Sequence, residues 1–280
     1  MTPVSSVGSA SDLPGMSMLR GILSAALAIV VLATLAPTDD ARDAASSGDL
    51  ATLPSERDVD YQLGGVREVP GRVGIVVRDR RAAPAEGAFN VCYVNAFQTQ
   101  PQARRWWRRH HWGLILKRDG RPVVDEVWGE WLFDLRQQRK RARLAAIVAG
   151  WTQDCATDGF DAVEFDNLDS FTRSRGLLRR RHARAFARLI VADAHDAGLP
   201  AGQKNLAGFD GTKVGYDFAV SEECGQWREC RAYSKVYGDQ VIAIEYRKRG
   251  FRRVCRTHGE RWPVVLRDRA LAPDGRRRFC

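Results

Sequence analysis

Several signatures are missing from this 280-residue chain, and each absence removes a class of function. No G-x-G-x-x-G or G-x-x-x-x-G-K-[ST] run opens a helix, so no nucleotide cofactor is implied. No G-x-S-x-G elbow is present, which leaves a serine nucleophile of the α/β-hydrolase kind without support. The six cysteines (Cys92, Cys155, Cys224, Cys230, Cys255 and Cys280) never fall into a tight C-x2-C pair. The five histidines, including adjacent His110 and His111, show no ligand spacing either, so a zinc centre is not indicated. The chain is expected to work without a metal or an organic cofactor. Long apolar runs are also lacking. The best one, Gly21 to Ala36, has 16 residues, short of the roughly 20 that span a bilayer comfortably.

That run follows Arg20 and precedes small residues, so residues 1–36 read as a secretory signal peptide or a membrane anchor. Pro37 is a poor context for cleavage directly after Ala36, and Met16 or Met18 would also serve as a start. Residues 37–57 hold Asp, Ala, Ser, Thr and Pro with almost no large apolar side chains, the composition of a disordered linker. The expected location is secreted or extracytoplasmic, with membrane attachment only through the N-terminal apolar segment. An even number of cysteines in an exported chain points to disulfides rather than free thiols. Proximity favours Cys224–Cys230, Cys255–Cys280 would tie down the C-terminus, and Cys92–Cys155 remains.

What is abundant is positive charge. Lys and Arg number 44 against 34 Asp and Glu, a formal net charge of +10. A basic surface suits anionic partners, but Arg-rich solvated helix faces explain the same excess. The segment QARRWWRRHH at 102–111 could stack on nucleic-acid bases. It is read here as an amphipathic helix with Trp106 and Trp107 inward and Arg outward, and no specific nucleic-acid partner is expected.

From residue 58 onward, β-branched strand candidates alternate with helical patterns: DVDYQLGG at 58–65, RVGIVVRD at 72–79, FNVCYVNAF at 89–97, AVEFD at 162–166, LPAGQKN at 199–205, DFAVSEEC at 217–224, QVIAIEY at 240–246 and WPVVLRD at 262–268. A strand is also expected in GLILKR at 113–118, ahead of a tight Asp119-Gly120 turn. Helices are expected at about 137–155, with Leu144, Ile147, Val148, Trp151 and Cys155 at helical spacing, and at 177–197. There His182, Phe186, Leu189, Ile190 and Ala194 are placed on the inner face. The alternation implies an α/β protein with a parallel barrel or doubly wound sheet, as one domain over 58–280.

Carboxylates gather where strands end. In DGFDAVEFDNLDSF at 158–171, Val163 and Phe165 fall on one strand face, and Glu164 and Asp166 on the other. Asn167 and Asp169 follow in the loop. Glu222 and Glu223, Glu245 and Tyr246, and Asp134 stand at other strand ends, and Lys204 with Asn205 closes another. In barrels of this type the C-terminal strand ends carry the chemistry. Glycoside hydrolysis needs two acids, one to protonate the leaving oxygen and one to attack the anomeric carbon or activate water. A non-catalytic barrel that holds a cell-wall polysaccharide or nucleic acid is the alternative, but a pure binder gains nothing from two acids facing one cleft.

The ordered runs VEFDNLDS, AGQKN, DFAVSEEC and VIAIEY, with DVDYQLGG, NVCYVNAFQTQP and WLFDLR upstream, resemble glycoside hydrolase family 114, the endo-α-1,4-polygalactosaminidase family, in its actinobacterial branch. The resemblance covers residue 58 to the C-terminus. It implies a (β/α)8 barrel and, as activity, cleavage within an α-1,4-linked galactosamine-containing exopolysaccharide by a retaining monomer. It implies Asp166 as nucleophile and Glu222 as general acid/base, although Ser221 stands where the family often has Asn. Glu223 is the fallback, because a one-residue slip swaps strand faces. Asp134, Asn167, Asp169, Lys204, Asn205, Glu223, Glu245 and Tyr246 are expected to line the substrate site. Lys204 either keeps an adjacent carboxylate ionised or pairs structurally with Glu164.

Overall fold

The computed structural model describes residues 50–54 and 57–280. The proposed signal or anchor at 1–36 and most of the proposed linker at 37–57 lie outside the described residues. In chain order the elements are β1 Asp58–Gln62, β2 Val73–Asp79, β3 Phe89–Asn95, α1 Arg104–His110, β4 Lys117–Arg118, β5 Arg121–Pro122, β6 Val124–Asp125, β7 Glu130–Trp131 and α2 Gln138–Asp158. There follow β8 Ala162–Asp166, α3 Arg180–Asp196, β9 Ala201–Lys204, β10 Phe218–Glu222, α4 Cys224–Trp227, α5 Cys230–Tyr237, β11 Val241–Glu245, α6 Lys248–His258, β12 Val264–Arg267 and β13 Arg277–Phe279.

β1, β2, β3, β8, β9, β10, β11 and β12 pair in that order, all parallel, and β13 adds antiparallel to β12. This is a nearly closed (β/α)8-type barrel and a single domain, with no helix in the crossovers after β1 and β2. No ladder joins β12 to β1. Side chains cross the seam instead: the fully buried Arg267 guanidinium donates to the Tyr61 carbonyl and lies 3.4 Å from Asp60.

Strand alternation sorts the side chains into two cores. Val59, Tyr61, Ile75, Val77, Val91, Tyr93, Ala162, Phe218, Val220, Ile242, Ile244 and Val265 fill the barrel interior. Gly202 makes room there, since a Cβ would stand 2.5 Å from the Phe218 ring. Val94, Val163, Phe165, Ala201, Ala219 and Ala243 face outward onto the helices. The interior parity of β8 carries Ala162, Glu164 and Asp166, and that of β10 carries Phe218, Val220 and Glu222. The stretch read as linker contributes Leu53, which is buried and donates its backbone N–H to Gln240 at 2.7 Å.

All six cysteines are bridged. Cys92–Cys155 ties β3 to α2, Cys224–Cys230 joins α4 to α5, and Cys255–Cys280 fixes the C-terminus to α6. Among the described residues no helix is long and apolar enough to cross a membrane.

Some local expectations need correction. The expected strand in GLILKR is a short 3-10 turn at 112–114 followed by the small β4–β5 hairpin at Asp119-Gly120. On α3 the buried stripe is Ala183, Phe186, Ala187, Ile190, Val191 and Ala194. Leu189 is exposed, and His182 sits in the first turn, where its Nδ1 accepts the Arg179 N–H at 3.1 Å. Helical periodicity placed the stripe a fraction of a turn away. On α1 only Trp107 turns inward, at 1% exposure, while Trp106 is 41% exposed and packs edge-on against it. Trp107→Ala is therefore expected to cost about 3–5 kcal/mol by emptying a core site. Trp106→Ala should cost under about 1 kcal/mol, as surface substitutions do. Equal shifts of the two variants in thermal denaturation would contradict this packing.

Candidate active site

The interior residues at the C-terminal ends of β8, β9 and β10 meet at the barrel mouth. Lys204, only 2% exposed, closes β9, and its ammonium stands at the centre. Its Nζ lies 3.0 Å from Glu164 Oε1, 3.5 Å from Asp166 Oδ1 and 3.5 Å from Glu222 Oε2. The lysine thus pairs with buried Glu164 and also reaches both strand-end carboxylates. The two oxygens it reaches on Asp166 and Glu222 can be no farther apart than twice that second distance. Burial by itself would lower the lysine pKa, but Asp166, Glu164 and Glu222 together outweigh burial and hold it well above the ordinary value.

Three phenols frame the carboxylates. Tyr93 OH donates to Asp166 Oδ2 at 2.7 Å, and the Asn167 backbone N–H donates to Oδ1 at 2.7 Å. Tyr246 OH donates to Glu222 Oε1, and Asn205 Nδ2 donates to Oε2 at 3.0 Å. Tyr61 OH donates to Glu164 at 2.7 Å beneath the lysine. Burial first, and the nearby carboxylates after it, raise all three phenol pKa values well above the usual range, so each stays a donor. Asn167 and Asn205 occupy left-handed backbone at φ 70° and 53°, a conformation asparagine tolerates better than most residues. Their side-chain amides reach neighbouring elements, Asn167 Nδ2 donating to Asn95 at 3.0 Å and Asn205 Nδ2 to Glu222 at 3.0 Å.

A second group comes from the β6–β7 hairpin. Asp125 and Glu130 are cross-strand partners, so their side chains share a face. Glu130 accepts from Asn95 at 2.9 Å, from Gln98 at 3.0 Å and from Asn167 at 3.2 Å. Burial pushes its carboxyl up to about 7, with nearby Asp166 and Asp125 adding to the rise. Arg173 ties this group to the loop after β8, with Asp125 at 2.7 Å and Asp169 at 2.9 Å. The hairpin tip carries exposed Val127 and Trp128.

Together these residues wall a cleft of about 470 Å³. Asp166, Asn167, Asp169, Lys204, Asn205, Glu222 and Tyr246 line it, joined by Tyr93, Asp125, Glu130, Arg173 and Arg269. Tyr93, Asp125, Glu130, Arg173 and Arg269 were not expected. Spacing in VVDEVWGEW could have shown a hairpin pairing Asp125 with Glu130, whereas nothing local marks Arg269. Among the described residues no group of three or more His, Cys, Asp or Glu side chains is placed to hold a metal ion.

Three expected lining residues stand elsewhere. Asp134 follows β7 and is consumed by its own helix start, with Arg136 at 2.8 Å and Lys140 at 2.6 Å. Burial opposes its charge, but these cations win and hold its carboxyl at about 2. Glu223 has left-handed backbone at φ 58°, which turns its side chain out of the strand alternation and onto Arg269 at 2.7 Å. Glu222, not Glu223, therefore faces the cleft. Glu245 has outward parity on β11 and is buried under α4 and α6, where Oε1 accepts the Gly225 N–H at 2.6 Å.

Burial raises the Glu245 carboxyl to about 7. The folded state then keeps a proton that an unfolded glutamate releases near its ordinary value. Stability contributed by this site is present below about pH 4.5 and declines as pH rises through about 7. Glu245→Gln, which carries no titratable charge, should therefore gain stability relative to the parent between pH 5 and pH 8. Calorimetric melting at both values checks this, and a difference that does not change with pH would rule it out.

The family model for glycoside-hydrolase family GH114 matches residues 40–280. No curated protein matches in sequence. Among solved structures, Ega3 of Aspergillus fumigatus in complex with galactosamine superposes with a TM-score of 0.64 at 18% identity, covering 83% of this chain and 100% of that one. The glycoside hydrolase domain of PelA from Pseudomonas aeruginosa gives 0.54 at 16% identity, covering 80% of this chain and 98% of that one. At such identities the likeness is one of fold.

Proposed function

The chain belongs to glycoside hydrolase family GH114, and from that membership we propose that it cuts within an α-1,4-linked, galactosamine-containing exopolysaccharide, with Asp166 as nucleophile and Glu222 as general acid/base. The observation that carries this reading is the Lys204 ammonium touching both carboxylates at 3.5 Å. The two oxygens that face the lysine can be no farther apart than twice that distance, a span that includes the roughly 5–5.5 Å of retaining enzymes.

In the first step an Asp166 oxygen attacks the anomeric carbon while Glu222 gives a proton to the leaving glycosidic oxygen. The C–O bond breaks, and the sugar is held as an ester of Asp166. In the second step Glu222 takes a proton from water, and that water displaces Asp166. Tyr93 holds one oxygen of Asp166 and the Asn167 N–H the other, and Tyr246 with Asn205 fixes Glu222, so neither carboxylate has to reorient for the reaction.

A deacetylated galactosamine polymer is cationic, and this protein carries +10 overall. The cleft has the opposite balance, with Asp79, Asp125, Glu130, Asp166, Asp169 and Glu222 against Lys204, Arg173 and Arg269. Charges beyond a Debye length of about 8 Å are largely screened at physiological salt, so the local excess governs the polymer at the cut site. Three disulfides support an exported location, and we take the active form to be a monomer without a specific nucleic-acid partner.

The test is incubation with purified galactosaminogalactan, followed by mass spectrometry of released oligosaccharides. Release by the parent and none by Asp166→Asn supports the reading. No release from the polymer in either acetylated or deacetylated form sinks it.

A further inference from the structure

Beside the cleft lies a second cavity of about 340 Å³, between the ends of β2 and β3 and the helices α1 and α2. Asp79, Tyr93 and Gln100 line both spaces, so the two adjoin. Its walls are chemically unlike the cleft. Trp106, Trp107 and Trp151 supply three indoles. Among the described residues the only cation on the wall is Arg80, whose guanidinium lies 4.4 Å over the Trp151 ring. The only carboxylate there among the described residues, Asp79, is already engaged, Oδ1 by Arg81 at 2.9 Å and Oδ2 by Gln100 at 2.6 Å. An ammonium entering here would meet a guanidinium and no free anion.

One acceptor does lack a partner. The Gln98 side chain is 1% exposed, and its Nε2 donates to Glu130 at 3.0 Å and Asp125 at 3.3 Å. Two carboxylates on that side fix the amide orientation, so Oε1 must face the other way. Among the described residues that buried oxygen has no hydrogen-bond partner. A buried acceptor without a partner is costly, and its retention at a cavity wall calls for an explanation.

We propose that this side cavity is a second sugar subsite that takes an uncharged, N-acylated hexosamine unit of the same polymer chain. The proposal rests on the hydrolase reading above. The C–H face of a pyranose and the methyl of its acyl group lie against the exposed Trp106 ring and its neighbours, and a hydroxyl or amide N–H donates to Gln98 Oε1. A concave, mainly apolar site with a few placed polar atoms is the usual form of a small-ligand pocket. The acid-rich cleft and the indole-lined side cavity then read the two chemical states of one amino sugar, free amine at the cut site and acylated unit beside it.

Calorimetric titration of Asp166→Asn protein, which binds without turnover, tests this with an α-1,4-linked N-acetylgalactosamine tetrasaccharide and its deacetylated counterpart. Adding Trp106→Ala should weaken binding of the acetylated tetrasaccharide on the order of tenfold, Trp106→Phe should restore most of it, and the deacetylated one should change little. Trp106 is half-exposed, so the fold survives its loss, which an unchanged melting temperature verifies. Equal weakening for both sugars, or none for either, overturns the proposal while leaving cleavage by the parent intact. Failure of the Asp166→Asn protein to bind either sugar overturns it too, and if the parent also cleaves no polymer, the hydrolase reading falls with it.

Discussion

Asp166→Asn and Glu222→Gln should each lower polymer turnover by on the order of a thousandfold or more while the barrel stays folded. Both side chains sit at the mouth, 17% and 26% exposed, rather than in either core. Each substitution keeps the shape of the side chain and leaves Lys204 two of its three acidic neighbours. Their effects should differ in kind. Without Asp166 no glycosyl ester forms, so every substrate is lost. Without a proton from Glu222, a substrate whose leaving group needs no protonation still reacts in the first step, so an activated aryl glycoside should show a burst of released aglycone. The comparison with Glu223→Gln is decisive for register, because Glu223 points to Arg269 at 2.7 Å. If Glu223→Gln is inactive and Glu222→Gln is not, the strand alternation assigned to β10 is wrong. If both Asp166→Asn and Glu222→Gln stay active, the hydrolase reading is wrong.

The parts of this arrangement that were legible in the sequence are those with a period. Val163 and Phe165 outward and Glu164 and Asp166 inward follow from the two-residue repeat of a strand, and the eight parallel strands follow from runs that each carry that repeat. The failures lie where the period stops. Glu223 reads as strand continuation, yet its left-handed backbone ends the strand one residue earlier. Glu245 obeys the alternation, and that parity sends it outward; being an acid at a strand end was not enough to put it in the cleft. Asp134 is claimed by Arg136 and Lys140, two and six residues on, a local competition visible in DLRQQRK once helix starts are considered. Glu130 and Asp125 belong to a hairpin of two residues per strand, too short for a repeat and marked only by the spacing in VVDEVWGEW. Arg269 reaches Glu223 across 46 residues through a loop after β12, and no local rule anticipates such a contact. Periodicity thus found the strand ends, and the loops that complete the cleft had to be seen.

Lys204→Met should damage both stability and turnover, and its cost should depend on pH. Removing the ammonium strips Glu164, at 0% exposure, of its only cation within 4.0 Å among the described residues and leaves it the Tyr61 hydroxyl. Breaking a buried pair from one side typically costs about 3–5 kcal/mol. Burial already raises the Glu164 carboxyl to about 7 with the lysine present, and losing the lysine raises it further. The variant can then escape part of the penalty by taking up a proton, so its stability should approach that of the parent at low pH and fall away as pH rises through and beyond about 7. Adding Glu164→Gln should remove that pH dependence and restore much of the stability. It should not restore turnover, because Asp166 and Glu222 still lack the cation that lay 3.5 Å from each. Urea unfolding at pH 5 and pH 8 together with turnover of the polymer separates the two roles. A Lys204→Met protein as stable as the parent at pH 8 would show that Glu164 does not depend on this ion pair, and recovered turnover in the double variant would show that the ammonium serves the fold and not the reaction.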